Sequence, residues 1–189
     1  MYGLINSSFR EFIRESFGDD AWMDIEKKSG VQQESFLTMR QADDSSTYEL
    51  LGRAAEETSQ QAEKLLEDFG VYWISKVATQ QYARVMRSHG ESFLEFASNI
   101  NKLHDQISGS FLSYQPPSFD LDHDPRGLYS FTYQSHRVGL TPFVSGLIKG
   151  LAEHFDTKVQ IIDVDTHQSE RGERSAFLLD IGSRDTNAT

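Results

Sequence analysis

Near residue 109 the repeat of apolar side chains changes, and that change divides the fold. Before it, apolar residues return every third or fourth position, the spacing of one helix face; after it they return every second position, the spacing of a half-buried strand. Between the two lie Gly109, Pro116, Pro117 and the acidic run Asp120-Leu121-Asp122-His123-Asp124-Pro125, none of which suits a helix interior. A chain patterned this way is neither a plain bundle nor a plain sandwich. The expectation is an α+β fold within one domain, residues 1–182. It has a helical N-terminal lobe over about 1–108, a linker over about 109–126, and a part over about 127–182 with a small antiparallel sheet and helix. Residues 183–189 read as a polar tail.

The helical stripes can be traced individually. Ile5, Phe9, Phe12, Ile13 and Phe17 form one face that stops at Gly18, and a short helix over Ala21 to Lys28 stops at Gly30. Ser35 to Arg40 reads as a short strand before a polar turn at Ala42 to Ser46. From Thr47 to about Arg87 the spacing predicts helix, with Leu50, Leu51, Ala54 and Ala55 on one stripe. Leu65, Leu66, Phe69, Trp73, Ile74 and Val77 form the next, and Gly70 falls inside or between helices. A further helix over Glu91 to Ile107 places Phe93, Phe96, Ala97, Ile100, Leu103, His104 and Ile107 on one side. Beyond the break, strands are expected at Leu128 to Ser135, Lys158 to Val164 and Ala176 to Ile181, with a helix over Pro142 to Phe155.

Composition removes several function classes. The 29 acidic against 18 basic residues give a net charge of -11, which repels a phosphate backbone and argues against nucleic acid as a partner. The apolar runs fall far short of the roughly 20 residues needed to span a bilayer, and no signal peptide is recognisable, so no membrane role is expected. With no cysteine there is no disulfide, thiolate metal site or cysteine nucleophile, which fits the reducing cytoplasm expected as its location. Neither a glycine-rich phosphate loop nor a motif-supported carboxylate cluster is present, so the chain does not read as an enzyme. The 13 phenylalanines offer flat apolar surface for a core or for a planar ligand.

Six histidines separate by context, because an iron ligand needs a neutral imidazole facing a pocket. His89 precedes a turn glycine, His123 sits among aspartates, His154 ends a helix, His167 lies in a polar loop, and His136 alternates away from Ser135 and Arg137. His104 alone lies on an apolar helical stripe, beside Ile100, Leu103 and Ile107. By position alone such a histidine is more often a hydrogen-bonded core residue than a ligand. A second constellation is Tyr133-Gln134-Ser135-His136-Arg137. Its first, third and fifth residues project from one side of a strand and form a donor row suited to two carboxylates on one ligand. The same row is also compatible with a solvated strand face.

Taken together, Met1-Tyr2-Gly3-Leu4-Ile5-Asn6, Leu103-His104-Asp105, Pro116-Pro117-Ser118-Phe119 and Tyr133-x-Ser135-x-Arg137, in this order, resemble the haem nitric oxide/oxygen binding family. The resemblance spans nearly the whole chain and includes bacterial stand-alone sensors and the haem domain of soluble guanylate cyclase. It implies haem b (iron protoporphyrin IX) held between the two lobes, with His104 as the iron ligand. Tyr133, Ser135 and Arg137 would take the propionates, Pro117 would press on the porphyrin, and Asp44, or its neighbour Asp43, would pair with Arg137. Oxygen-binding members resemble one another in a distal tyrosine, whose position here is matched by Phe143, which has no donor. Trp73 is similar to a pocket-wall position in cyanobacterial members and brings an indole N–H, while Ile5 and Phe9 would complete the apolar wall. The resemblance thus implies a sensor of nitric oxide, also binding carbon monoxide. It would signal to a histidine kinase, a cyclic-dinucleotide enzyme or a nucleotide cyclase. The residues leave open a haem-free module for a planar apolar carboxylate ligand, and a pure interaction scaffold.

Overall fold

The computed structural model describes residues 1–108, 115–170 and 172–182. Gly109 and the tail 183–189 lie outside the described residues. Helix α1 (Gly3–Phe17) buries Phe9, Phe12 and Ile13 and ends at Gly18. Helix α2 (Asp19–Ser29) ends at Gly30, which takes the left-handed conformation that glycine adopts at little cost. Asp43 starts helix α3 (Asp44–Thr58) by accepting a hydrogen bond from the Ser45 backbone at 2.9 Å. These helices and α4 (Ala62–Tyr72) enclose one apolar cluster built on Phe9, Phe12, Ile13, Trp22, Ile25, Leu50 and Phe69.

Helix α4 runs into a π-helical stretch, Trp73–Ala78, followed by α5 (Thr79–Gln81), α6 (Ala83–His89) and α7 (Phe93–Ser108). The change of helical pitch coincides with a change of partner. Leu65 and Phe69 belong to the first cluster, while Ile74 and Ala78 belong to a second one with Phe93, Phe96, Phe119, Phe131, Tyr133, Ile148 and Phe177. Strands β1 (Ser118–His123), β2 (Tyr129–Ser135), β3 (Lys158–Ser169) and β4 (Gly172–Gly182) form one antiparallel sheet in the order β1-β2-β4-β3, with α8 (Thr141–His154) crossing between β2 and β3. Among the described residues no helix is long and apolar enough to cross a membrane.

Three expectations change. Residues 35–40 form no strand. A 3-10 turn, Gln33–Phe36, closes by local bonds such as Leu37 N to Glu34 O, and the segment reaches the N-terminus through a single bridge between Tyr2 and Gln41. The stretch read as a linker contains β1, because Phe119 and Leu121 turn toward the core while Asp120 and Asp122 face outward. The polar stretch around His167 continues β3, paired along its length with β4.

The crossing of α4 and α8 requires two glycines. A Cβ on Gly146 would lie 2.0 Å from the Glu67 carbonyl oxygen and 2.9 Å from Gly70 Cα, and one on Gly70 would lie 2.3 Å from the Phe143 carbonyl oxygen. Backbone cannot yield as a flexible side chain does. Gly146→Ala is therefore expected to destabilise the fold by about 1 to 3 kcal/mol, the usual cost of overpacking. Urea unfolding measures this, and an unchanged midpoint would contradict the crossing.

Candidate functional site

The two apolar clusters meet along a seam of half-buried side chains. Trp73 packs against both clusters; Ile5 and Phe143 line the side of the first, and Ile100, Leu103 and Leu140 that of the second. On the first side the rings interlock: Phe69 meets Phe9 and Phe143 at 5.2 Å each, and Trp73 meets Phe143 edge-on at 6.5 Å. Ile5, Phe9, Trp73 and Phe143, four residues singled out in the sequence, are thus brought together on one wall.

His104 stands on α7 next to Leu103, which packs against the second cluster. Its ring lies 5.7 Å from that of Phe119, which in turn packs on Phe131 at 5.4 Å and on Tyr133 at 5.5 Å. Burial pushes the imidazole pKa down, partly offset by a hydrogen bond to the Pro117 backbone and by the charge of Asp105, so His104 is neutral at pH 7. The Pro117 backbone therefore lies within hydrogen-bonding reach of the histidine. Asn101, one turn earlier on α7, holds this arrangement. Its side chain donates to the Phe119 carbonyl at 2.6 Å and accepts from the Phe119 N–H at 2.9 Å. An exposed-looking amide in a helix gave no sequence signal for that role.

Tyr133 and Ser135 are buried on β2 and Arg137 lies just beyond the strand end. The row bends there, because the Arg137 N–H turns back to donate to Ser135 Oγ at 3.1 Å. The Arg137 guanidinium donates from Nε to Asp44 Oδ2 at 2.8 Å and from Nη1 to the Gln115 carbonyl at 3.3 Å. Asp44 also accepts from the Met1 amino group, and His136 Nε2 lies 3.8 Å from the same carboxylate. Although burial raises the Asp44 pKa, the Met1 amino group and Arg137 outweigh it and hold the carboxyl below its usual range. A pocket of about 300 Å³ opens beside Arg137, between 41–44 on one side and Gln115 and His136 on the other. Burial raises the Tyr133 pKa to about 12, so its hydroxyl stays a donor at neutral pH.

The residues present suit a flat apolar group bearing carboxylates and a metal with one free axial position. They provide an apolar seam, a neutral imidazole on one side of it, and hydroxyl and guanidinium donors at its edge. Among the described residues no cluster of three or more acidic or imidazole side chains could hold a metal ion by itself, so His104 would serve only together with a metal-bearing group.

Known proteins bear on this arrangement. A family model described as Haem-NO-binding matches residues 2–162. The chain is 25% identical over 188 residues to the soluble guanylate cyclase gcy-31 of Caenorhabditis elegans, covering 99% of this chain and 27% of that one. It is 29% identical over 120 residues to the rat guanylate cyclase soluble subunit beta-2, covering 62% of this chain and 18% of that one. The chain thus spans about a quarter or less of the length of these curated relatives. Among solved structures, the S. oneidensis H-NOX protein in its Fe(II)NO state superposes with a TM-score of 0.81 at 16% identity, covering 97% of this chain and 100% of that one. A single-substitution variant of the T. tengcongensis H-NOX superposes with a TM-score of 0.86 at 16% identity, covering 97% and 98%.

Proposed function

The chain belongs to the haem-NO-binding family, a family of sensor rather than catalytic domains, and from that premise we propose that it binds haem b through His104 and senses nitric oxide. The observation that carries the reading is the neutral, half-buried imidazole of His104 beside Leu103 on the second cluster, together with the aromatic wall of Phe9, Phe69, Trp73 and Phe143 on the first. A bound ferrous haem supplies an iron centre that takes up diatomic gases.

The chain's own residues do the rest. His104 offers its lone pair because burial disfavours the protonated ring. Arg137, Ser135 and Tyr133 take the propionates, Arg137 doing so with an orientation set by Asp44. Pro117, beside His104, would pack on the porphyrin, and Ile5 and Phe9 would exclude water from the gas. Phe143 presents no donor to a bound gas, so nitric oxide and carbon monoxide are held while oxygen, which depends on a donor, is not. Trp73 brings an indole N–H to this wall, and its ring is engaged edge-on with Phe69 and Phe143.

Signalling follows from connectivity. A shift of α7 at His104 is felt by β1 through the paired Asn101–Phe119 bonds and the His104–Phe119 ring contact. A partner responds only if it binds the two positions with different affinity. The guanylate cyclases among the relatives favour a nucleotide cyclase as that partner, with a histidine kinase or a cyclic-dinucleotide enzyme as the other classes.

His104→Gly is expected to lose the ferrous haem spectrum, and free imidazole to restore it by filling the space left behind. An unchanged absorption spectrum without imidazole would refute the ligand. The reduced wild type exposed to air is expected to form no lasting oxygen complex. Phe143→Tyr should shift it toward oxygen binding by roughly 1 to 3 kcal/mol, about one to two orders of magnitude in affinity. A persistent oxygen spectrum in the wild type, abolished by Trp73→Phe, would assign the donor to Trp73 instead.

A further inference from the structure

Residues 136–140, which join Arg137 to the helix bearing Phe143, have no regular structure of their own and are held from outside. Arg137 is tied to Asp44, and the Val138 carbonyl accepts from Tyr48 Oη at 2.8 Å. Several further ties run to one side chain. Glu173 on β4 accepts from Gly139 N at 2.8 Å, from Thr141 N at 3.2 Å, from Thr141 Oγ1 at 2.7 Å and from Gln168 Nε2 at 3.2 Å. Glu173 is only 2% exposed, and these four donors are all neutral. A buried carboxylate is costly unless its oxygens are well satisfied, so these bonds are the condition for its presence.

The position of Glu173 is itself fixed. It pairs with Ser135 in the β2–β4 ladder. The preceding Gly172 has φ +112°, and a Cβ there would lie 2.1 Å from the Ser135 carbonyl oxygen and 2.5 Å from His136 Cα. The start of β4 is thus pressed against the end of the Tyr-x-Ser-x-Arg strand. Helix α8 meanwhile has no acid in its first turn, and its N-cap, Leu140, makes no side-chain bond. Glu173 supplies from another strand the negative charge and the acceptor that a helix start favours.

We infer that Glu173 is a positioning residue that fixes the span from Arg137 to Phe143 and so sets the carboxylate clamp and the distal wall together. The inference rests on the haem-binding reading above. Through one carboxylate, displacement of the propionate end and displacement of the gas-facing end of this span become a single motion.

The test compares haem-loaded wild type with Glu173→Gln, which keeps the shape and removes the charge. Three readouts are taken: haem transfer to an apo-globin acceptor, the C–O stretching frequency of the carbon monoxide complex, and amide exchange at Gly139 and Thr141 in the haem-free protein. Glu173→Gln is expected to speed haem transfer about tenfold, the loss of one hydrogen bond to a charged group. It should also shift and broaden the C–O band, and quicken exchange at Gly139 and Thr141 while the interior of β2 keeps its protection. Thr141→Val, which removes one of the donors, gives the same changes to a smaller extent and serves if Glu173→Gln does not fold. Unchanged haem transfer and C–O frequency would overturn the inference. So would faster exchange spread evenly over the sheet, which marks general destabilisation. A wild type that takes up no haem would instead refute the haem-binding reading, while the amide measurement still decides the role of Glu173 in holding the segment.

Discussion

Asp44 and Arg137 are 93 residues apart in the chain and 2.8 Å apart in the fold, and their ion pair closes the helical half onto the sheet half at the edge of the apolar seam. The Arg137 side chain is 15% exposed there, so the pair is partly withdrawn from water. Removing one partner of such a pair leaves the other charge poorly solvated, a larger penalty than at an exposed site. The rest of the site is referred to this point. Asp44 opens α3, the Met1 amino group shares its carboxylate, and Arg137 ends the donor row that begins at Tyr133. Both halves must be in register for the clamp to exist.

From that anchor two branches leave in opposite directions. One runs back along β2 from Tyr133 to Phe119 and on to His104, ring against ring. The other runs forward through residues 138–141 to Phe143 and the aromatic wall of Trp73 and Phe69. His104 and the Phe143 wall are thus connected through Arg137 as well as through Trp73, which packs against both clusters. A packed core of this kind moves between discrete arrangements rather than deforming smoothly, which is what a switch requires.

Much of this is legible in the sequence because it is carried by local patterns. The apolar stripe with His104 shows in helical spacing, and the Tyr133, Ser135, Arg137 row shows in strand alternation. The change of period near residue 109 marks the passage from helices to sheet. What the sequence hides is set by tertiary contact. Residues 35–40 look strand-like but find no neighbouring strand, so the Ser35, Leu37 and Arg40 N–H groups close onto carbonyls three residues back. Strand β1 is masked by its aspartates, which occupy only the solvent face. The π-helical turn at Trp73 follows from α4 serving two clusters. Glu173 caps a helix it does not belong to, and Asn101 pairs with a strand backbone 18 residues on, so neither matches a local motif. The bend at Arg137 appears only once Ser135 accepts its N–H.

The proposed function requires His104 to present a neutral imidazole to a ferrous haem. One anaerobic absorption spectrum of the reduced protein, taken before and after nitric oxide, tests it most directly. The expected result is a Soret band of five-coordinate ferrous haem that shifts on adding the gas. A colourless protein from cells with ample iron and haem precursor, or a band indifferent to nitric oxide, would contradict it.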